Sequence, residues 1–463
     1  MNLYDKIHQN TTNQPEATAL IYFGFRISYK RLVKLIEQTA SKLHKMGIGH
    51  GDIVSVALPT TPESIAIIYA LNKIGAVACT IDVRYTAEQV ATIVNNTRSK
   101  MLFVMNFNLK AIAKVASSIC AEHIVVMRGC EIFPRQVAFW YALGEWFNGR
   151  KLAFHSNARF MHWDDFVGTD GNNDTPCHNW QKDEAQLIFQ TSGTTGNSKS
   201  VLLTAENIEM TRQATNDFLN SPSHNDCILS LIPLFAFYGF LTTVHLPLSL
   251  GMRIVIVPIW KPKDFIKLIG RHQPQHIFMV PSIWDSIYDP SNQHIDLSSL
   301  KTATVAGDVV NPVFERDINA FLKANGHHRS LTKVYGMTET AGSIAVTPEN
   351  SANKYEVGFS GHIIGGHRVS IINDEVCISP STRFLGYYHE PEATANLIQK
   401  HQDGSLWIHT GDIGFIDENG DLYVIGRKKR MIVRHDGTKV FPVEIETMLL
   451  KCPKVKSCAV IGS

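Results

Sequence analysis

Between Ser28 and Ile81 the chain alternates between helical and strand-like hydrophobic spacing, and this constrains the fold more than any other feature of the sequence. Ser28-Tyr29-Lys30-Arg31-Leu32 offers a hydroxyl N-cap followed by apolar residues at helical spacing. That pattern predicts a helix through about Met46, ended by Gly47 and Gly49. Ile53–Leu58 reads as a buried strand. Thr61-Pro62-Glu63 opens a second helix with proline in its first turn. This helix ends near Gly75, and Ala76–Ile81 is the next strand. Strand, helix, strand in succession predicts a largely parallel sheet covered by helices, the α/β class.

A second stretch carries chemistry. Leu187-Ile188-Phe189 and Val201-Leu202-Leu203 are short apolar runs that read as strands. Between them lies Thr191-Ser192-Gly193-Thr194-Thr195-Gly196-Asn197-Ser198-Lys199. Gly193 and Gly196 let backbone N–H groups approach a ligand closely. The hydroxyls of Thr191, Ser192, Thr194 and Thr195 and the ammonium of Lys199 are donors suited to phosphate oxygens. Alone, such a loop also reads as a solvated turn. It is not a P-loop: the GxxxxGK[ST] spacing is missing, and an apolar strand rather than a helix follows Lys199.

Composition excludes several classes. At 463 residues the chain has room for about three average domains. A net charge of +2 gives no global attraction to nucleic acid or anionic lipid. The eight cysteines are scattered without a CxxC pair, so neither a zinc site nor a disulfide framework is signalled, and a reducing, cytoplasmic setting fits. The first residues contain no apolar core of a secretory signal. Cys227–Met252 lacks acidic and basic residues, but Pro233, Gly239, Pro247 and Gly251 interrupt it. A buried strand–turn–helix is expected there, not a membrane span. Residues 131–165 are rich in aromatics interleaved with arginine and lysine. Packing of an insertion against the sheet is expected there, with an interfacial amphipathic segment as the alternative. Gly168–Asn179 has linker composition. His272 and His276 have i,i+4 spacing, but Pro274 between them argues against a shared helix face.

Further blocks follow in order: Tyr335-Gly336-Met337-Thr338-Glu339-Thr340, His409-Thr410-Gly411-Asp412 and Gly426-Arg427-Lys428-Lys429. With the Thr191–Lys199 loop, they resemble the adenylate-forming (AMP-binding) superfamily, closest in look to acyl-CoA synthetases and aryl-CoA ligases. The resemblance spans most of the chain. It implies a large, multi-subdomain amino-terminal domain with helix-covered mixed sheets over residues 1–426. A hinge and the start of a small mobile carboxyl-terminal domain follow over 427–463, with a short helix at Val443–Leu450 and a strand at Ser457–Ile461. Most of that second domain is absent from this sequence.

The implied chemistry is attack of a carboxylate on the α-phosphorus of ATP, giving an acyl-adenylate, then thioester formation with CoA. The Thr191–Lys199 loop suits the β- and γ-phosphates, with Lys199 as a mobile cation. Glu339 suits Mg²⁺, which favours a carboxylate together with substrate phosphates. Thr338 can donate to the α-phosphate. Tyr335, beside Gly336 and Met337, can stack on adenine. Asp412 can accept two ribose hydroxyls, and Arg427 can donate to ribose or phosphate. Gly307 and Asp308 resemble the adenine-binding turn, after a strand at Thr302–Val305. Lys429 aligns with the pivot of the mobile domain. Gly437 and Lys439 fall in the segment that resembles the loop lining the CoA side.

Phe235, Ala236, Phe237 and Gly239 resemble the wall of the acyl pocket. No aspartate lies between Asp226 and Asp264 to hold an α-ammonium, which disfavours an amino acid and favours a fatty or aryl acid. Two alternatives remain. One is transfer of the acyl group to an acyl-carrier protein; the other is a truncated protein that binds nucleotide or acyl-adenylate without turnover. Ser198 and Ser200 replace the proline and second glycine usual in the phosphate loop, which implies a looser loop. The lysine that contacts carboxylate and α-phosphate during adenylation would lie beyond residue 463. Pyrophosphate exchange by this chain is therefore expected to fall far below that of a version extended by a complete carboxyl-terminal domain; equal rates would refute this.

Overall fold

The computed structural model describes residues 2–129, 131–133, 159–167, 175–191, 198–219, 221–288, 295–379, 384–401, 404–434, 439–452, 454–455 and 458–462. The helix Tyr29–Lys45 begins as expected, with the Ser28 hydroxyl accepting from the Arg31 N–H. Pro62–Ile74 starts with a capping box, in which Thr61 and Ser64 each accept the other's backbone N–H. It stops at Gly75 in a left-handed conformation (φ 84°). Every residue of this helix is buried, so it is a core element with no solvent face.

Two large sheets form around these helices. The eight-stranded sheet runs in the order Gly386–Tyr387, Lys199–Leu203, Leu187–Thr191, Val77–Thr80, Ile53–Ala57, Met101–Met105, His123–Met127 and Phe160–His162. From Leu187–Thr191 onward every pairing is parallel, as the alternation requires. Lys199–Leu203 folds back antiparallel on Leu187–Thr191, with Thr191 opposite Lys199. The strand–loop–strand reading holds; loop residues 192–197 lie outside the described residues.

The larger sheet changes character part-way. Thr18–Tyr22, Arg253–Ile256, Cys227–Ser230, His276–Met279, Thr302–Ala306 and Thr332–Met337 pair in parallel. From Thr332–Met337 outward, through Gly342–Val346, Phe359–Ile363, Leu422–Arg427 and Leu406–Ile416, the pairing is antiparallel. The parallel strands are apolar runs buried on both faces, as parallel sheets demand. Cys227–Met252 is the expected buried strand and helical segment. No helix among the described residues is long and apolar enough to cross a membrane. Within the aromatic-rich insertion, Phe133 packs on Tyr22 and Phe25 and Trp163 on Phe103; residues 134–158 lie outside the described residues, as does 168–174 of the linker. His272 ends the helix Asp264–His272, while His276 lies in a strand and bonds Asp226, so the pair does not converge.

One expectation is corrected. The helix Pro442–Leu450 forms, but Cys458–Gly462 is irregular and not a strand. Among the described residues no strand pairs with it; the Val460 N–H instead donates to Glu446 Oε1 at 2.9 Å.

Gly336 shows how tightly the switch from parallel to antiparallel pairing is packed. A Cβ there would lie 2.0 Å from the Gly342 carbonyl oxygen, a backbone atom that cannot move aside. Gly270, exposed in the helix Asp264–His272, has open space around it. Gly336→Ala is therefore expected to lower unfolding free energy by about 1–3 kcal/mol. Gly270→Ala should raise it by about 0.5–1 kcal/mol. Denaturant titration of the two variants checks both signs.

Candidate active site

Several of the side chains singled out from the sequence gather where the larger sheet changes pairing. In α/β sheets, crevices form at the carboxyl ends of parallel strands, at the point where strand order reverses. Thr302–Ala306 ends there and passes into Gly307, whose φ of 89° suits glycine, and then Asp308. Thr332–Met337 ends there too, carrying Tyr335 and Gly336 and passing into a tight turn at Thr338–Thr340. The antiparallel strands Leu406–Ile416 and Leu422–Arg427 bring Asp412 opposite Arg427 in register. Gly307, Asp308, Tyr335, Gly336, Asp412 and Arg427 all line one cavity of about 180 Å³. Phe441, Pro442 and Val443 border it as well, because the helix Pro442–Leu450 is held nearby. That helix is tied down by the Asn311 amide donating to the Thr447 hydroxyl (3.0 Å) and by an Arg430–Glu446 ion pair (3.2 Å).

Asp412 is nearly fully buried and anchors this half. The Tyr335 hydroxyl donates to its Oδ2 at 2.6 Å, and Arg427 Nε lies 2.8 Å from its Oδ1. Burial pushes the Asp412 carboxyl above its ordinary pKa against the pull of Arg427 and Tyr335. Burial and the adjacent carboxylate push the Tyr335 phenol well above its own. Arg427 remains half-exposed, with a second bond from its guanidinium to the Thr410 carbonyl at 3.2 Å. Glu375 supports the Thr410–Asp412 stretch of the strand Leu406–Ile416: its Oε1 accepts from the Gly411 N–H at 2.8 Å, and Lys428 lies 3.4 Å from Oε2. Burial raises the Glu375 pKa, but Gly411, His409 and Lys428 together hold it below the usual carboxylate value.

The second half is built by both sheets. Lys199 opens the strand next to Gly386–Tyr387, where Tyr387 pairs with Val201. The Lys199 ammonium sits 4.7 Å from the centre of the Tyr387 ring, and the Tyr387 hydroxyl donates to Glu339 Oε1 at 2.7 Å. Glu339 is buried on the turn that follows Tyr335 and Gly336. Burial and the Glu339 carboxylate raise the Tyr387 pKa, so the phenol stays protonated and donates. At the end of the loop the Ser198 and Ser200 hydroxyls both donate to Gln190 Oε1, at 3.0 and 3.1 Å.

The structure thus brings Gly307, Asp308, Tyr335, Gly336, Asp412 and Arg427 to one cavity, and Lys199 and Glu339 to one tyrosine. Thr191 ends its strand, and its hydroxyl reaches the Lys199 carbonyl at 3.4 Å. Met337 packs partly into the core and Thr338 opens the turn. Phe235 and Phe237 are buried, Phe237 against Phe189 at 5.2 Å. A Cβ on Gly342, just after the Glu339 turn, would lie 3.3 Å from Phe237, so this apolar wall reaches the site. Gly239 has its own steric reason, since a Cβ there would fall 2.2 Å from the Pro233 carbonyl. Lys429 lies in the turn Lys428–Arg430, Lys439 begins the short strand Lys439–Val440, and Gly437 is outside the described residues. Ser192, Gly193, Thr194, Thr195 and Gly196 are also outside them.

Two participants are not in any of the motifs. Tyr387 stands in Gly386-Tyr387-Tyr388, an aromatic pair after a glycine that could have been flagged. Glu375 carries no local signal; only strand register, which sets it opposite Ile413, reveals it.

A sequence profile of the AMP-binding enzyme family matches residues 7–388. The chain belongs to this family. Among curated relatives, probable 4-coumarate–CoA ligase 1 of Dictyostelium discoideum is 27% identical over 449 residues, 92% of this chain and 76% of that ligase. The putative acyl-CoA synthetase YngI of Bacillus subtilis is 26% identical over 480 residues, 98% of this chain and 84% of the synthetase. In fold, the chain superposes on the anthranilate–CoA ligase AuaEII, solved with anthranoyl-AMP, at a TM-score of 0.84 and 20% identity. All of this chain and 85% of that one are covered. The relatives are acid–thiol ligases of the AMP-binding type, a class that uses ATP and CoA, and this enzyme is one of that kind.

Tyr387→Phe removes the hydroxyl that satisfies a buried carboxylate. It is expected to cost about 1–3 kcal/mol of stability, measured by denaturant unfolding. It should also leave the cation–ring contact of Lys199 in place.

Proposed function

We propose that the enzyme activates a fatty or aryl carboxylic acid as its adenylate and passes the acyl group to CoA. The observation that carries this is the meeting of two polar clusters along one strand and its turn. Tyr335, Asp412 and Arg427 line the cavity; Glu339, four residues past Tyr335, shares Tyr387 with Lys199. Asp412 keeps acceptor capacity for ribose hydroxyls, and the half-exposed Arg427 keeps donors for ribose or phosphate. The Tyr335 ring suits adenine, and Lys199 suits the outer phosphates. A substrate carboxylate oxygen attacks the α-phosphorus, forming an O–P bond while the bond to the β-phosphate oxygen breaks and pyrophosphate leaves. The CoA sulfur then attacks the acyl carbon: a C–S bond forms, the C–O bond to AMP breaks, and the thiol proton is lost to water.

A buried carboxylate at the phosphate end is a hard oxygen donor and fits Mg²⁺, which Glu339 would hold. That ion supplies neutralisation of triphosphate charge; Lys199 and Arg427 supply the rest. Phe235, Ala236, Phe237 and Gly239 offer no charge to an acid's tail, which supports an apolar acid over an amino acid. Residues 1–426 are read as the adenylating domain and 427–463 as the hinge at Lys429 and the start of a mobile domain, with Gly437 and Lys439 on the CoA side. The seven described cysteines are all free, which suits a reducing cytoplasm.

Calorimetry with ATP and with AMP tests the assignment. Asp412→Ala is expected to weaken both ligands by about tenfold or more, since a hydrogen bond to a charged group is lost. Lys199→Ala should weaken ATP in the presence of Mg²⁺ and spare AMP. Absence of nucleotide binding by the wild-type chain, or wild-type affinities in both variants, would overturn the reading. Product analysis with CoA and with an acyl-carrier protein, on a panel of aryl and fatty acids, identifies the acceptor.

A further inference from the structure

A second polar cluster stands apart from the nucleotide cavity. His50 lies in the turn after the helix Tyr29–Lys45, and His178 and Glu184 lie in the segment leading to the strand Leu187–Thr191. None of the three lines the cavity. His50 Nε2 is 2.9 Å from Glu184 Oε1, and His178 Nε2 is 3.4 Å from Glu184 Oε2. One ligating atom of each residue lies within 4.8 Å of the others. The two imidazoles stack at 4.3 Å, and the edge of Trp180 packs against His178 at 5.0 Å.

The cluster is fastened to the end of one buried helix, Pro62–Ile74. The His178 N–H donates to the Lys73 carbonyl at 2.7 Å, and the Trp180 indole donates to the Asn72 carbonyl at 2.8 Å. The Gly51 N–H donates to the Gly75 carbonyl at 3.0 Å, which fixes the turn that carries His50. The His178 ring lies over Gly75, where a Cβ would fall 2.7 Å from its Cγ. Glu184 is oriented by the Gln181 N–H, which donates to Oε2 at 2.8 Å. That bond is the main cause holding the carboxyl below its ordinary pKa, so Glu184 is ionised at neutral pH.

We propose that His50, His178 and Glu184 form a site for a divalent transition-metal ion of the Zn²⁺ or Ni²⁺ class, which ties the segment carrying His178 and Glu184 to the turn carrying His50. Two imidazoles and one carboxylate are a known donor set for Zn²⁺, with ligand distances of about 2.0–2.2 Å. Tetrahedral bonds of that length set donor atoms about 3.3 Å apart. The contacts of 2.9 and 3.4 Å run to different oxygens of Glu184, and with one ligating atom of each residue within 4.8 Å of the others the side chains need only draw together to complete the site. Imidazole selects borderline ions over Mg²⁺ or Ca²⁺. His50 is half-exposed, so solvent reaches the cluster. The site needs neutral imidazoles, so acid competes with the metal.

Titration calorimetry of the intact chain with ZnCl₂, NiCl₂ and MgCl₂ tests this, with the exposed thiols alkylated. One site per chain is expected for Zn²⁺ or Ni²⁺ and none for Mg²⁺. His50→Ala and Glu184→Gln should weaken it by about tenfold or more while circular dichroism stays unchanged. The metal should raise the melting temperature of the wild type and not of the variants. No uptake by the wild type, or equal uptake by His50→Ala and Glu184→Gln, overturns the proposal.

Discussion

The hydrogen bond from Tyr387 to Glu339 joins chemistry that two separate sheets deliver. Tyr387 belongs to the edge of the eight-stranded sheet, beside the strand that begins at Lys199. Glu339 belongs to the turn at the end of a strand in the larger sheet. With the Lys199 ammonium over the same ring, one phenol contacts both the cation and the carboxylate. Its hydroxyl satisfies a buried acceptor that would otherwise be costly. Its face favours a nearby positive charge. Opposite charges are thereby held close to each other through a neutral group, an arrangement that leaves Lys199 available to an anionic ligand.

That junction depends on the change of pairing at Thr332–Met337. A purely parallel sheet would bury this strand between parallel neighbours, with helices on both faces. Here one neighbour, Thr302–Ala306, is parallel, and the other, Gly342–Val346, is antiparallel. The chain turns back within a few residues, so Glu339 follows closely on Tyr335 and Gly336. The glycine at 336 is a consequence of the same geometry, because the returning strand's carbonyl occupies the space a side chain would need.

Much of this was legible from residue order. The caps at Ser28 and Thr61, the stop at Gly75 and the apolar runs of the parallel strands are local signals, and the local elements follow them. Three of the motif blocks meet in space, because Tyr335, Asp412 and Arg427 each stand in one and line the same cavity. What stayed hidden was whatever depends on register between distant strands. Tyr387 meets Glu339 across 48 positions, and Glu375 supports Gly411 across 36. No periodicity announces such pairs. The strand expected at Ser457–Ile461 failed for the same kind of reason: a β-branched, apolar run becomes a strand only where a partner supplies its ladder.

Asp412 shows which contacts the fold needs and which it merely tolerates. Its burial raises its pKa, so ionisation there opposes folding even with Arg427 and Tyr335 beside it. A carboxylate has about four lone-pair positions, and the Tyr335 hydroxyl and Arg427 Nε occupy only part of them. Well-packed apolar residues often replace such a pair without loss of stability. The core, with Ile344, Val376 and Leu422 packed on the same sheet, does not require a charge at this point. What the carboxylate does at this point is line the cavity, with one oxygen held by the Tyr335 hydroxyl and the other by Arg427.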